Sequence, residues 1–265
     1  RGIRFHTGTK VHDIRFSGNA FHISLHDRIM QADLVIGAWG KRSNLDQKLN
    51  RRFFYRRSPF MAVKYHVRSD FPEDLIQLDF FRGGYSGICR IEGGQYSLCY
   101  LSRAETLKRY GSLREMEREV LFSNPALRAH MEPAEYLSGS PHVINQISFE
   151  SKPLTGGHVL FCGDSAGMIS PLFGNGMAIA IRSGKFLAEV IHLHLQADPS
   201  LLDRSALERQ YEREWQRNFR YRIGAGRLVQ SLFMRSFLAD AGIRMLGAIP
   251  GAVRRLVENS HGRPF

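Results

Sequence analysis

The chain has 265 residues, of which 43% are hydrophobic and 23% are charged, as is typical of a soluble globular protein with room for two domains. Its formal net charge of +12 favours an anionic partner such as a phosphorylated cofactor, a membrane surface or nucleic acid. The basic residues are scattered and no nucleic-acid-binding motif accompanies them, so we expect no nucleic-acid partner. No apolar run reaches the length of a membrane-spanning helix.

The cysteine and histidine content argues against disulfides and metals. Cys89, Cys99 and Cys162 are odd in number and lack metal-site spacing, which suits a reduced setting. His192 and His194 face different sides of one predicted helix, so we expect no metal there. No secretory signal opens the sequence, and we expect a cytoplasmic location, with a membrane-peripheral position as the alternative.

The first predicted elements are strands. Residues 3–36 alternate in the manner of antiparallel strands, and Ser17-Gly18-Asn19 is a hairpin turn signal. Residues 32–38 form a continuous apolar run, which predicts a buried parallel strand. The basic, aromatic residues 51–57 are interpreted as a solvated edge with its aromatic rings turned inward. A segment that faces a phosphate or a lipid headgroup is the alternative.

The middle of the chain predicts an antiparallel sheet that is open on one face. Its strands are expected over 60–67, 75–81, 85–91 and 96–101, and Gly93-Gly94 predicts a two-residue hairpin between the last two. Ser112 and Glu115 have the capping-box arrangement, which predicts a helix to about residue 122. Asn124-Pro125 ends that helix, and a shorter helix and a returning strand over 141–149 follow.

The most informative stretch is residues 158–195, which read HVLFCGDSAGMISPLFGNGMAIAIRSGKFLAEVIHLHL. A short apolar run ends at Gly163-Asp164, and Gly174-Asn175-Gly176 opens a long helical pattern. Unpaired N–H groups at a helix start carry partial positive charge and suit an anionic group, while the Asp164 carboxylate can accept hydrogen bonds from hydroxyls. A strand–loop–helix crossover without a ligand is the alternative interpretation.

The run from 163 to 184 resembles the second FAD-binding motif of flavoproteins built like para-hydroxybenzoate hydroxylase. Within that superfamily it is most similar to the geranylgeranyl reductase-like oxidoreductases. The resemblance implies that Asp164 hydrogen-bonds the ribityl chain of FAD, and that Pro171 and the 174–176 segment lie against the isoalloxazine ring. The cofactor-binding residues that it implies are Gly163, Asp164, Ser165, Ala166, Pro171, Gly174, Asn175, Gly176, Met177 and Gly40.

Residues 39–43 resemble the third motif of that family, Asp-Gly-x-x-Ser, which lies near the FAD pyrophosphate. Gly40 and Ser43 match, but Trp39 replaces the Asp, so no role of that carboxylate carries over. Lys41 and Arg42 are placed to meet a phosphate, with a solvated turn as the alternative. A strand followed by G-x-G-x-x-G and a helix is absent, so we expect a fragment without the adenine-binding N-terminal segment.

The fold class implied by the resemblance is α/β (α+β). It comprises an incomplete Rossmann-like FAD/NAD(P)-binding domain, an inserted antiparallel-sheet substrate domain and a C-terminal helical region. We expect the FAD-binding domain at residues 1–50 and 140–196, the substrate domain at 51–139 and the helical region at 197–265. Phe80, Phe81 and Tyr85 are candidates for lining an apolar substrate cavity, with ordinary sheet packing as the alternative.

The C-terminal part is predicted to be helical. Asp198-Pro199 is expected to break the preceding helix, Asp203 or Ser205 to cap the next one, and residues 228–249 to form a further helical stretch. A helical subdomain that covers the core is the main interpretation. A peripheral membrane surface is the alternative, and it depends on the arginines Arg217, Arg220, Arg222, Arg227, Arg235, Arg244, Arg254 and Arg255.

The expected function is that of an FAD-dependent oxidoreductase of the geranylgeranyl reductase-like type. Its substrate would be a small apolar molecule, isoprenoid or polyketide-like, and NAD(P)H would donate the hydride. A monooxygenase or halogenase of an aromatic or polyketide substrate, and a non-catalytic fragment unable to retain FAD, are the alternatives. Gly167 stands where aromatic hydroxylases commonly have the His of Gly-Asp-Ala-His, which favours the reductase. No Ser-His-Asp or Cys-His arrangement is readable, so no proton-transfer catalyst is nominated.

Overall fold

The computed structural model describes residues 2–197 and 202–234 and six further positions, 242, 244, 248, 249, 251 and 254. Its strands are β1 (Asp13–Ser17), β2 (Ala20–Ser24), β3 (Ile29–Ala32), β4 (Ile36–Gly37), β5 (Phe60–Arg68), β6 (Gln77–Phe81), β7 (Gly84–Arg90), β8 (Tyr96–Arg103), β9 (Glu135–Tyr136), β10 (His142–Ile147), β11 (Thr155–Gly156) and β12 (Val159–Phe161). Its α-helices are α1 (Asn44–Lys48), α2 (Ala104–Tyr110), α3 (Leu113–Met116), α4 (Pro125–Met131), α5 (Gly176–Ala197) and α6 (Arg204–Phe233).

The chain divides into two compact units. The first contains residues 1–56 and 149–226, and the second contains residues 57–148 and the described residues from 227 onward. The predicted boundary at 50 falls earlier than this division, because the buried Arg51 and the 3-10 turn that follows it belong to the first unit. The predicted boundary at 139 is also early, because β10 pairs with β5 of the second unit.

The first unit contains two small sheets. β1, β2 and β3 form an antiparallel sheet, and the predicted hairpin turn is confirmed because Gly18 and Asn19 both have positive φ angles, of 59° and 65°. In the second sheet β12 lies between β11 and β4, and it runs parallel to β4. The strand predicted over 32–38 is divided, because Ala32 pairs with β2 whereas Ile36 pairs with Leu160 of β12.

The buried side chains that helix α6 contributes to the core of the first unit recur every four residues at Leu207, Tyr211, Trp215, Phe219 and Ile223, the spacing of one helix face. Complete burial of side chains of this size contributes about 1.5–3 kcal/mol each. Up to residue 226, the C-terminal region therefore supplies part of this core.

The beginning of α6 agrees with the predicted cap, since Asp203 Oδ1 accepts a hydrogen bond of 2.9 Å from the Ala206 N–H. Asp198 and Pro199 lie outside the described residues, and so does most of the helical stretch predicted over 228–249, of which α6 covers the part to Phe233. In the described part of the chain, no helix has both the length and the apolar composition needed to cross a bilayer.

The second unit is the predicted antiparallel sheet, with strand order β10-β5-β8-β7-β6 and β9 beside β5. Alternate residues of β5 are buried, beginning with Met61 and Val63, and they pack in one core with Met116 of α3 and Leu127 of α4. The predicted two-residue hairpin after β7 is wrong. The connection spans residues 91–95 and is closed by a 2.8 Å hydrogen bond from the Ile91 N–H to the Gln95 carbonyl, with Gly93 and Gly94 at left-handed φ angles of 69° and 67°.

The helix predicted from Ser112 to residue 122 changes its winding. Ser112 Oγ caps it by accepting a 3.2 Å hydrogen bond from the Glu115 N–H, and a π-helical turn (Glu117–Leu121) follows α3. Glu117 Oε1 accepts hydrogen bonds from the hydroxyls of Tyr65, at 2.7 Å, and Tyr100, at 2.8 Å. Burial raises the pKa of the Glu117 carboxyl, while both hydroxyls act in the opposite direction.

Candidate functional site

The two sequence motifs meet at one edge of a sheet. β4 and β12 are parallel neighbours, so the loop that contains Gly40 and the loop that begins at Gly163 leave the sheet at the same side. Ser165 Oγ donates a hydrogen bond of 3.2 Å to the Gly40 carbonyl, which joins the loops directly. In open α/β sheets the crevice beyond the carboxyl ends of the strands is the usual ligand site.

The side chain of Lys152 also joins these two loops. Its Nζ donates hydrogen bonds of 2.7 Å to the carbonyl oxygens of Lys41 and Asp164, and the residue is only 6% exposed. Burial lowers the pKa of the Lys152 ammonium to about 8, and Arg51 adds to this, whereas Asp46 and Asp164 raise it. Sequence reasoning did not single out Lys152, because a lysine before a proline carries no signal of burial.

A buried ion pair between Arg51 and Asp46 also holds these loops. Arg51 Nη1 lies 2.8 Å from Asp46 Oδ1, and the side chains are 2% and 0% exposed. Arg51 Nη2 donates to the carbonyl oxygens of Pro153, at 2.9 Å, and Ser165, at 2.8 Å. Its Cζ lies 3.7 Å from the centroid of the Phe161 ring. Burial lowers the pKa of the Arg51 guanidinium, and Asp46 opposes that shift.

Interpreting residues 51–57 as a solvated edge is therefore wrong for Arg51. Arg52 and residues 56–57 are exposed and Phe53 is buried, as expected, whereas the Tyr55 ring, predicted to turn inward, is 60% exposed. Sequence signals for the buried pair did exist, since Ser43 and Asp46 have capping-box spacing. The box is formed, because Asp46 Oδ2 accepts a 2.7 Å hydrogen bond from the Ser43 N–H while Ser43 Oγ accepts from the Leu45 N–H.

Asp164 is the accessible carboxylate of the site. It is half-buried, and no described residue donates a hydrogen bond to its side chain, although its main-chain oxygen is bound to Lys152. Burial raises the pKa of the Asp164 carboxyl above its ordinary value of 3.8, and the charge of Lys152 opposes this rise. A partly desolvated carboxylate with vacant acceptor positions suits a ligand that carries hydroxyl groups.

The glycine segment before α5 leaves open space. Gly174 has a left-handed φ of 66°, and a Cβ placed on it would meet no atom within 4 Å. Gly163 has a different role, because its N–H donates a 2.8 Å hydrogen bond to Ser183 Oγ and a Cβ there would lie 3.3 Å from Ala180 Cβ. The close approach brings the end of β12 to the first turns of α5, whose initial N–H groups lack intrahelical acceptors.

The predicted cofactor-binding residues differ in what they can offer a ligand. Ser165, Ala166 and Asn175 are buried, with exposed fractions of 0%, 1% and 6%. Pro171 and Met177 are exposed, and their side chains are accessible. Contact between these residues and a cofactor stays a prediction.

The side chain of Arg42, one of the two basic residues after Gly40, already contacts other residues of the protein. Arg42 Nη2 donates a 2.6 Å hydrogen bond to the Phe54 carbonyl, and its Cζ lies 3.9 Å from the centroid of the Phe54 ring. Burial lowers the pKa of Lys41, and the charge of Arg42 lowers it further. Phosphate binding by this pair stays a prediction.

In the second unit, the predicted substrate residues lie on two faces of the sheet. Phe80 and Tyr85 are cross-strand partners and share one face, where the Phe80 ring stacks on Phe233 at 4.7 Å. Phe81 belongs to the buried core on the other face, with its ring edge-on to Tyr100 at 6.3 Å. The three side chains therefore cannot line one cavity together, although a substrate contact at Phe80 and Tyr85 stays a prediction.

The second unit also has an open groove of about 670 Å³, and no predicted site residue lines it. Its lining includes Arg68, Phe71, His130 and Glu135, and Arg68 and Glu135 are already joined by a 2.9 Å ion pair. Within the described ranges, no three His, Cys, Asp or Glu side chains are grouped as a metal site requires.

Comparison with known proteins relates this fold to flavoenzymes. No family model matches the chain, and no curated protein matches it either. Among solved structures, the flavin-dependent brominase Bmp2 is similar with a TM-score of 0.70 and 18% identity, over 95% of this chain and 64% of the brominase. A geranylgeranyl bacteriochlorophyll reductase-like protein from Thermoplasma acidophilum has a TM-score of 0.66 and 18% identity, over 85% of this chain and 58% of that protein.

Klebsiella pneumoniae HpxO, solved in complex with FAD and uric acid, has a TM-score of 0.65 and 18% identity, over 96% of this chain and 66% of HpxO. The chain thus spans less than two thirds of each of these three proteins. The chain therefore shares its fold with these proteins, among them a flavin-dependent brominase and a protein solved with FAD, and the predicted α/β fold class is confirmed.

Proposed function

We propose that this chain, which has the fold of the FAD-dependent oxidoreductases, holds the flavin part of FAD in an oxidoreductase. The observation that carries the proposal is the half-buried Asp164 carboxylate, which has no hydrogen-bond donor among the described residues and lies where the two motif loops meet. Bound FAD would supply the electron- and hydride-transfer chemistry, which side chains of this kind do not provide.

The residues present fit such a cofactor. The Asp164 carboxylate can accept hydrogen bonds from sugar-alcohol hydroxyls, and a Cβ on Gly174 would project into the open space before α5. Helix α5 has 22 residues, so its first turn presents unpaired N–H groups with partial positive charge. These donors would stabilise negative charge on the reduced ring, which is how a protein tunes a bound flavin electrostatically.

For the reaction class we propose a reductase that acts on a small apolar molecule, isoprenoid or polyketide-like, with NAD(P)H as the hydride donor. The supporting observation is at Gly167, where a Cβ would lie 3.3 Å from two atoms of the Trp215 ring and 3.7 Å from Ile223. That packing leaves no space for the His that aromatic hydroxylases commonly have at this position. Hydride transfer in this protein is accordingly proposed to depend on the cofactors alone, with no side chain named as an acid or base.

A flavin-dependent monooxygenase or halogenase is the second candidate. The likeness to a flavin-dependent brominase supports it, although at 18% identity likeness extends to the fold only. The two candidates differ in their use of oxygen. NAD(P)H oxidation should proceed without oxygen, and with reduction of the apolar substrate, if the reductase proposal is correct. Strict dependence on oxygen with a hydroxylated or halogenated product would establish the second candidate instead.

FAD binding itself is tested by titrating the purified protein with FAD and following the quenching of flavin fluorescence. We expect Asp164→Ala to weaken binding about 10- to 100-fold, because it removes a charged acceptor from the flavin hydroxyls. Asp27→Asn is the matched control, since its side chain is 65% exposed, and it should bind FAD as the wild type does. A wild-type protein that takes up no FAD would contradict the proposal and leave the non-catalytic fragment as the explanation.

A further inference from the structure

Lys152 is a buried lysine of the first unit that belongs to neither motif. A buried ammonium is costly unless it is well hydrogen-bonded, and this one sits 4.5 Å from the centroid of the Phe53 ring. Its two hydrogen bonds, both 2.7 Å long, go to carbonyl oxygens on different loops, those of Lys41 and Asp164. Each of those loops carries one of the two motifs.

These hydrogen bonds orient two peptide groups. The described peptide bonds contain no cis bond, and in a trans peptide the N–H points away from the C=O. When Lys152 binds the Lys41 and Asp164 carbonyls, the N–H groups of Arg42 and Ser165 are therefore turned away from the ammonium. Two main-chain donors, one on each motif loop, are fixed in direction by one side chain.

The same ammonium acts on the Asp164 side chain through its charge. Burial raises the pKa of the Asp164 carboxyl and the Lys152 charge counteracts that rise, so Lys152 favours the ionised carboxylate. The other charged groups that face Lys152 are Arg51, Asp46 and Arg42. Arg51 and Asp46 neutralise each other in their ion pair, Arg42 is hydrogen-bonded to the Phe54 carbonyl, and the charge that lowers the pKa of the Asp164 carboxyl is that of Lys152.

We propose that Lys152 is a positioning residue for the flavin: its ammonium joins the two motif loops through the carbonyl groups of Lys41 and Asp164 and so holds Asp164 in place for the hydroxyls of the cofactor. This inference rests on the proposed FAD function and adds a determinant that neither motif contains. Lys152 itself is only 6% exposed, so it would act through Lys41 and Asp164 rather than by touching the cofactor.

The experiment compares three proteins, the wild type, Lys152→Met and Lys152→Arg. Lys152→Met keeps an apolar side chain over Phe53 but removes the charge and the donors, whereas Lys152→Arg keeps both. Lys48→Met is the matched control, because Lys48 is exposed at the end of α1. For each protein, FAD affinity is measured by fluorescence quenching from pH 4 to pH 8, and folding is checked by circular dichroism.

We expect Lys152→Met to bind FAD about 10-fold or more weakly at pH 7, since a charged donor that joins two carbonyls is lost. Wild-type affinity should fall as the pH drops through the pKa of Asp164, because the protonated carboxyl is a poorer acceptor. That fall should begin at a higher pH in Lys152→Met and at the wild-type pH in both Lys152→Arg and the control. A purely structural role would not move this pH dependence.

The inference is overturned if the wild type binds FAD and Lys152→Met binds it with the same affinity and the same pH dependence. If Lys152→Met does not fold, the neutral donor variant Lys152→Gln replaces it. An FAD affinity that falls at the same acidic pH as in the wild type would again contradict the inference. A wild type that fails to bind FAD would instead contradict the proposed function, so the two failures are distinguishable.

Discussion

The indole N–H of Trp39 donates a hydrogen bond of 3.1 Å to Asp46 Oδ1. Trp39 occupies the position at which the resembling motif has an Asp, and the carboxylate that it contacts comes from the capping box of α1. The same oxygen is 2.8 Å from Arg51 Nη1. Asp46 therefore connects the loop that contains Gly40 to Arg51. Arg51 in turn binds the Ser165 carbonyl on the loop that begins at Gly163.

The first prediction concerns this connection. Asp46→Asn should lower the free energy of unfolding by about 3–5 kcal/mol, because the buried Arg51 charge loses its counter-ion. Urea unfolding followed by circular dichroism measures the change. Asp27→Asn removes an exposed ion pair with Arg28 and should change stability by at most about 1 kcal/mol. Equal effects of the two variants would show that the buried pair contributes nothing beyond a surface pair.

The second prediction concerns the space at the end of β4. In Gly37→Ala the added Cβ would lie 2.6 Å from the Phe161 ring and 2.7 Å from the Trp39 ring. We expect a loss of about 1–3 kcal/mol in the free energy of unfolding, from forced displacement of packed rings. In Gly184→Ala, within α5, the Cβ would meet no atom within 4 Å, and a gain of about 0.5–1 kcal/mol is expected. Thermal unfolding of both variants checks the opposite signs.

The third prediction is a pH dependence of stability in the second unit. Burial raises the folded-state pKa of Glu117 above its ordinary 4.5. The stability gained from protonating Glu117 is therefore fully present below about pH 4.5 and is lost as the pH rises through the folded-state pKa. Glu117→Gln retains an oxygen for the hydroxyls of Tyr65 and Tyr100 but does not titrate. Melting temperatures from pH 4 to pH 8 should therefore rise for Glu117→Gln relative to the wild type as the pH increases.

Glu119→Gln is the control for that pH dependence, because its side chain on the same turn is 50% exposed. Its melting temperature should follow the wild type across the range. A parallel pH profile for Glu117→Gln and the wild type would contradict the raised pKa.

The fourth prediction separates the neighbouring phenylalanines of β6. Phe81→Ala should lower the free energy of unfolding by about 3–5 kcal/mol, since Phe81 is 6% exposed in the core beside Tyr100. Phe80→Ala should cost less, because Phe80 is half-buried on the other face. Urea unfolding of both variants provides the comparison. A larger loss for Phe80→Ala would show that the core lies on the Phe80 face.

Sequence patterns were sufficient wherever a feature depends on neighbouring residues. The Gly18-Asn19 turn, the caps at Ser112 and Asp203 and the strand–loop–helix segment from β12 to α5 all formed as expected. Each of these is determined by backbone preferences and side-chain hydrogen bonds within a few residues. The Gly93-Gly94 connection is the exception, because glycines with left-handed φ angles suit both a two-residue turn and the longer connection over 91–95.

What the sequence by itself determined was the type of element in each segment and the motif around Asp164. Only the tertiary structure decided that residues 140–148 join the second unit and that Phe80 and Phe81 serve different faces. It also decided that Asp46, Arg51 and Lys152 are buried around the two motif loops. The burial of Arg51 and Lys152 depends on partners more than 100 positions away, 114 for Arg51 with Ser165 and 111 for Lys152 with Lys41. No local pattern encodes such contacts, because they exist only once parallel strands β4 and β12 bring distant loops to one edge of the sheet.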